Sequence, residues 1–208
     1  MKKEYCEDFR GYLIKYLENN YLKIIVICFS LLKRMECVIK GIQLGRMCKF
    51  YGNTIFHREP LTEISIGNNC TFRSNFKSNF VGLNHKCLLA TLRKGAQLKI
   101  GNHCGISGAT ISIAYKAIIH DNVLIGANAF ITDFDWHNID PLHRHEPCTE
   151  YKAVEIRKNA WIGINTVILK GVTIGENSII GANSVVTDNI PDNVIAAGNP
   201  CKIIRNIR

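Results

Sequence analysis

The sequence predicts an all-β solenoid, a parallel β-helix built from hexapeptides, with a helical segment at its N-terminus. Three observations carry that reading. Six consecutive hexads open on an aliphatic residue: Ile156-Arg-Lys-Asn-Ala-Trp, Ile162-Gly-Ile-Asn-Thr-Val, Ile168-Leu-Lys-Gly-Val-Thr, Ile174-Gly-Glu-Asn-Ser-Ile, Ile180-Gly-Ala-Asn-Ser-Val and Val186-Thr-Asp-Asn-Ile-Pro. Their fourth place is always Asn or Gly, namely Asn159, Asn165, Gly171, Asn177, Asn183 and Asn189. Those residues tolerate φ > 0 best, so each hexad is expected to contain one left-handed turn residue. The fifth place is mostly small (Ala160, Thr166, Ser178, Ser184), as a tight inward corner requires. Helices repeat at about 3.6 residues and strands at about 2, so neither produces a six-residue period.

In chain order, residues 1–50 form the first element, read as a helical cap. The apolar run Tyr21 to Leu32 falls short of the ~20 residues a bilayer span needs. Together with Tyr12, Leu13, Tyr16 and Leu17 it predicts one or two helices within residues 5–40. Two roles fit. The segment can cover the exposed strand edges of the first coil, or it can lie on a membrane surface, since Lys33 and Arg34 directly follow the apolar run. The polar residues ahead of that run do not form a signal peptide.

Residues 51–208 form the solenoid. Upstream of the six hexads the rule continues through Ile113, Ile119, Ile125 and Ile131. Asn122 and Asn128 take the turn, and Ala117, Val123 and Ala129 the corner. Earlier still are Ile100-Gly101 with Cys104, and Ile66-Gly67-Asn68-Asn69-Cys70, and the phase slips by one residue between Ile106 and Ile113. Three hexads close one triangular coil, which places Ile156 beneath Ile174 and Ile162 beneath Ile180 at one strand spacing, ~4.8 Å.

The nine cysteines are odd in number and contain no CxxC pair, which predicts reduced, packed thiols in a cytoplasmic protein. The formal charge of +9 comes from 26 basic and 17 acidic residues. Basic residues gather at the two ends: Lys2, Lys3, Arg10, Lys15, Lys33, Arg34, Lys40, Arg46 and Lys49, then Lys202, Arg205 and Arg208. That excess favours phosphorylated or acidic partners or an anionic membrane face. Nucleic acid is not an expected partner, because no basic stripe interleaved with aromatics is present.

The repeat breaks once at length, over an inserted loop at 132–155 that holds Trp136, His137, His143, Arg144, His145 and Cys148. Insertions in solenoids collect on one face, often the binding face. His137 is the candidate reactive group, since an imidazole can take a proton from a hydroxyl and later release it. Asp135 or Asp133 could hold its second ring nitrogen. The alternative is a plain surface histidine. His143, His145, His137 and Cys148 also offer zinc-type donors, but their spacing matches no ligand pattern, and no metal is expected.

Taken together, the hexads, the Asp133-Phe-Asp-Trp-His137 loop, Trp161-Ile-Gly163, Ile168-Leu-Lys-Gly-Val-Thr-Ile-Gly175 and Ala197-Gly-Asn-Pro-Cys-Lys-Ile-Ile204 resemble the hexapeptide-repeat acyltransferases. Within that family the galactoside and maltose O-acetyltransferases and the bacterial polysaccharide O-acetyltransferases are nearest. The resemblance implies a left-handed β-helix, a homotrimer, and acetyl-CoA as co-substrate in a groove between subunits. It puts the catalytic base on His137 and the acceptor on a saccharide or glycan precursor. It implies donor contacts at Trp161, Gly163 and Ile164, whose backbone N–H would meet the thioester oxygen. Pantetheine would lie near Ala182 and Thr187, and the nucleotide near Lys202 and Arg205. Asn84, His85, Trp136 and Arg144 are candidates for the acceptor. Two departures stand out: Asp188 replaces a basic residue of close relatives, and Asn138 follows His137 where galactoside enzymes have proline. The rival readings are a zinc carbonic anhydrase on the same fold and a non-catalytic scaffold. The expected location is the cytoplasm, at the inner face of the membrane if the N-terminal segment binds there.

Overall fold

The computed structural model describes residues 8–148 and 150–207. Lys2, Lys3 and Arg208 of the predicted basic ends lie outside the described residues, as does Thr149 of the loop. The chain winds as a left-handed parallel β-helix with three faces. The first face runs from Gln43–Leu44 to Thr173–Ile174, the second from Lys49–Tyr51 to Val194–Ala197, and the third from Ile55–Arg58 to Val185–Val186. The predicted register is present, with Ile156 paired to Ile174 and Ile162 to Ile180. The inward aliphatics of the regular coils (Ile156, Ile162, Ile168, Ile174) are fully buried and form the core.

The turn residues behave as their chemistry requires. Asn159, Asn165, Asn177 and Asn183 have φ of 60°, 56°, 58° and 57°. Their side chains also stack from coil to coil: Asn128 Nδ2 donates to Asn165 Oδ1 at 3.3 Å, and Asn165 Nδ2 to Asn183 Oδ1 at 3.0 Å. Asparagine therefore supplies both the left-handed backbone and a polar ladder up the outside of the corner, which glycine could not. At the same corner Gly126 and Gly163 pack against the coil above so closely that an added Cβ would sit 2.7 Å from its backbone. Cys70 and Cys104 are buried, as predicted, and so is Cys48, which was not singled out; Cys70 Sγ donates to Gly101 O at 3.1 Å.

Four expectations need correction. Asn189 is not a left-handed turn residue. The last hexad is cut short so that Ile190 bridges Ile174, and Asn193 takes the positive φ of 58°. Ile113 is not the repeat opener of its coil, because Ile131 pairs with Ile111. The solenoid starts before residue 51, since Gln43–Leu44 and Lys49–Tyr51 already pair with the next coil. Finally, the tail does not continue the parallel winding: Lys202–Asn206 turns back antiparallel against Val194–Ala197 and closes the second face.

The first helix, α1 (Phe9–Ile39), is N-capped by Asp8, whose Oδ1 accepts from Gly11 N at 2.9 Å. Its C-terminal half covers the open end of the first coil. Phe29 packs on the core, Cys37 is buried, and Ser30 Oγ accepts from Phe50 N at 3.0 Å. Lys40 Nζ reaches Phe56 O at 2.6 Å, and Arg34 donates to Gly45 O at 3.1 Å. Helix bonds thus reach the backbone of the first coil at Gly45, Phe50 and Phe56, around its whole turn. Beneath them Phe50 stacks on Phe72, with ring centroids 4.8 Å apart.

Candidate active site

The inserted loop leaves the third face after Phe130–Thr132 and rejoins the first face at Val154–Ile156. Its neck is fixed in three ways. Asp133, completely buried, accepts from the backbone N–H groups of Ala114, Tyr115 and Lys116 at 2.8, 2.7 and 2.6 Å. Burial pushes its pKa up, and those three donors oppose the shift. Phe134 bridges Tyr151 across the neck and packs its ring on Trp136 at 4.8 Å. Lys170, from the coil beneath, donates to Asp135 Oδ2 at 2.5 Å and to Glu150 Oε2 at 2.8 Å. Burial works against the Lys170 charge, but the two carboxylates outweigh it and raise its pKa. Lys152 and Lys170 together hold the Glu150 carboxyl down at about 2.

His137 projects from this pinned neck, exposed and without a hydrogen bond among the described residues. The expectation that Asp135 or Asp133 orients it is overturned: Asp135 is held by Lys170, and Asp133 by the backbone of residues 114–116. Both carboxylates place the loop instead. Sequence reasoning missed Lys170 because it lies a whole coil away from the loop it anchors.

The farther part of the loop is exposed. His143 Nδ1 sits 2.9 Å from Asp140 Oδ2, Arg144 donates to Ile139 O at 3.1 Å, and Cys148 is buried. His137, His143, His145 and Cys148 do not converge as a metal-ligand group among the described residues.

The predicted donor residues lie at other corners. Trp161 is half exposed on the second face, in a groove of about 400 Å³ lined also by Arg73, Ser107, Leu124 and Gly126. Of these only Trp161 was expected. The outward-facing Gly105, which Leu124 covers so closely that an added Cβ would sit 2.9 Å from its Cδ2, and the small Ser107 beside it were the available signal. Gly163 donates its N–H to Ile180 O at 2.8 Å, whereas the Ile164 N–H has no acceptor among the described residues. Ala182 stacks on Gly163 at that corner. Thr187 follows the third face, its hydroxyl 3.0 Å from Asp188 Oδ2. Lys202 Nζ is 3.9 Å from the same carboxylate, and Arg205 donates to Asn206 O at 3.2 Å.

Asn84 and His85 sit on a second insertion, between Thr71–Arg73 and Leu88–Thr91, where Asn84 N donates to Asn128 Oδ1 at 2.8 Å. Within one chain this is the opposite end of the third face from His137. The structure therefore does not bring Asn84 and His85 to the loop, nor Ile164, which shares the Asn128 corner. A prism cannot fold one of its corners onto another, so these groups can meet His137 only across a neighbouring copy.

The family described as bacterial transferase hexapeptide (six repeats) matches residues 153–188. A galactoside O-acetyltransferase of Lactococcus lactis is 35% identical over 149 residues, 68% of this chain and 62% of that relative. One of Escherichia coli is 41% identical over 114 residues, 54% of this chain and 56% of the relative. The matched segments thus span about six-tenths of these curated relatives. A solved galactoside acetyltransferase in complex with coenzyme A superposes with a TM-score of 0.54 at 29% identity, covering 85% of this chain and 72% of that one. By its repeats, its coil register and these likenesses, the chain is similar to the hexapeptide-repeat transferases.

Proposed function

We propose that this chain is an acetyl-CoA-dependent O-acetyltransferase that acts on a saccharide hydroxyl, with His137 as general base and a homotrimer as the working unit. One observation carries the reading: a hydrogen-bond-free imidazole on a pinned loop at one corner, and an unpaired backbone N–H, that of Ile164, at another. Each is what acyl transfer needs, and a rotated second copy supplies the missing half of each site. Galactoside relatives, one of them solved with coenzyme A, support the donor and the acceptor class.

In this reading the imidazole of His137 takes the proton of the sugar hydroxyl as its oxygen attacks the thioester carbonyl. The Ile164 N–H of the neighbouring copy donates to the oxyanion that forms. The C–S bond then breaks, and the imidazolium returns its proton to the departing thiolate, leaving an O-acetyl sugar and free coenzyme A. Trp161, Ala182 and Thr187 line the donor path. Lys202 is shared with Asp188, so Arg205 carries more of the nucleotide phosphates. Trp136 and Arg144 frame the acceptor beside His137. The eight free thiols among the described residues support a reducing, cytoplasmic location.

The test is thiol release from acetyl-CoA against a panel of sugars and glycan precursors. His137→Ala is expected to lose about 10²–10⁴ in rate while its melting temperature stays unchanged. Equal rates in the two proteins would remove His137 as the base, and a monomeric solution mass would remove the shared groove.

A further inference from the structure

The outward side of α1 is apolar along its whole length. Ile14, Leu17, Ile24, Leu31, Met35 and Val38 are all exposed, Val38 by 76%, and their spacing sets them on one side of the helix. The opposite side is occupied by Phe29, Ser30, Lys33 and Cys37 against the first coil. At ~1.5 Å per residue the stripe from Ile14 to Val38 is about 36 Å long, far beyond the scattered apolar residues of an ordinary surface. The C-terminal half of this stripe lies over the end of the prism, away from its three faces.

Either another helix or a bilayer could cover it. A coiled-coil seam carries charged flanking positions that set register and partner. Here Ile27, Leu32 and Ile39 flank the stripe, all exposed, and widen it well beyond a seam. A broad apolar face beside cations is the form of a helix that lies in a membrane interface. No helix among the described residues is long and apolar enough to cross a membrane. Between α1 and the second face runs a groove of about 540 Å³, with Leu22, Val26 and Ile27 on its apolar wall and Lys23, Lys49 and Arg73 around it. Lys23 and Lys49 make no ion pair among the described residues. We infer that α1 docks the protein flat on an anionic bilayer, its apolar side at the headgroup boundary and Lys23 and Lys49 on lipid phosphates. This placement does not depend on the catalytic reading.

The experiment is sedimentation of the full chain with vesicles of phosphatidylcholine alone or mixed with phosphatidylglycerol, at low and high salt. Wild type is expected to bind the anionic vesicles and to lose at least about tenfold in binding to neutral ones or in high salt. The exposed-site variant I24E/L31E is expected to lose binding at both salt levels, and K23E/K49E to lose its salt-sensitive part. Thiol release on a soluble acceptor, unchanged in I24E/L31E, keeps the outcome separate from catalysis and reports folding. Wild type left in the supernatant, or either variant binding like wild type, overturns the inference. So does a solution mass of twice the trimer that collapses in I24E/L31E, which would assign the face to a second copy.

Discussion

Between Ile156 and Val186 every sixth residue is an aliphatic side chain at most 1% exposed, whereas every residue from Pro141 to Pro147 is exposed. The two stretches are close in sequence, and their shapes have different causes. In the coils a residue's place follows from its position in the period: inward aliphatic, left-handed Asn, small corner. In the loop, place follows from a few long-range polar bonds, chiefly Asp133 to residues 114–116 and Lys170 to Asp135 and Glu150. A repeat can therefore lose one side chain and remain a repeat, while the loop loses its geometry with one anchor. The coils then govern stability, and the anchors govern where His137 stands.

The largest expected effect tests the coil side. Ile162 is fully buried between Ile125 and Ile180. Ile162→Ala is expected to cost about 2–5 kcal/mol through lost burial and the cavity left behind, read as a lower melting temperature. Thiol release per folded molecule should stay near wild type. If specific activity falls as steeply as stability, the division between coils and anchors fails.

Asp133→Ala tests the loop side. It strands three inward-turned N–H groups, at about 1–3 kcal/mol in stability, and frees the start of the loop. Activity is expected to drop well beyond what the unfolded fraction explains, and Asp133→Asn, which keeps one acceptor oxygen, should recover part of it. Equal, small losses of activity and stability in both variants would show that the neck is held by the aromatic cluster of Phe134, Trp136 and Tyr151 instead.

How much of this was legible in the sequence divides along the same line. Register, core and turn residues were readable wherever the period held, because Asn at φ > 0 and an inward isoleucine are local requirements. The reading failed where local pattern and stacking disagree. Ile113 keeps the spacing to Ile119, yet Ile111 fills the stack. Asn189 keeps the spacing to Asn183, yet the coil shortens to bring Ile190 beside Ile174. The residues of the loop were recognisable by type, but not their partners. Nothing near Asp135 in the chain announces Lys170, and nothing near Asp133 announces the backbone of Tyr115. The second insertion, which carries Asn84 to the wrong end of the third face for a single-chain site, was equally hidden.

A smaller effect separates the two roles of the corner asparagines. Asn165→Ala places a β-carbon residue at φ 56° and cuts the ladder between Asn128 and Asn183, at roughly 1–2 kcal/mol. Asn165→Gly keeps the backbone conformation and loses only the ladder, so it should fall by less in chemical denaturation. If Gly proves as costly as Ala, the side-chain ladder, and not the left-handed turn, is what the period selects.

The smallest effect lies in acid. The pKa of Glu150 is lowered from 4.5 to about 2, first by Lys152 and then by Lys170. A depressed carboxyl stabilises the folded loop above about 4.5, and that contribution fades as pH falls through about 2. The raised pKa of Lys170 works at the other end, keeping the ammonium charged throughout neutral and acid conditions, so the acid change belongs to the carboxyl side of the anchor. Of the two tryptophans, Trp136 sits on the loop, and in a Trp161→Phe background its fluorescence reports the loop alone. Its acid transition is expected near the low end of that range. Lys170→Met should move the midpoint upward, but only part of the way to 4.5, since Lys152 remains. Far-ultraviolet circular dichroism, which follows the coils, should not share that shift. A common midpoint for both signals in both proteins would mean that loop and solenoid yield to acid as one unit, and that the anchor has no separate existence.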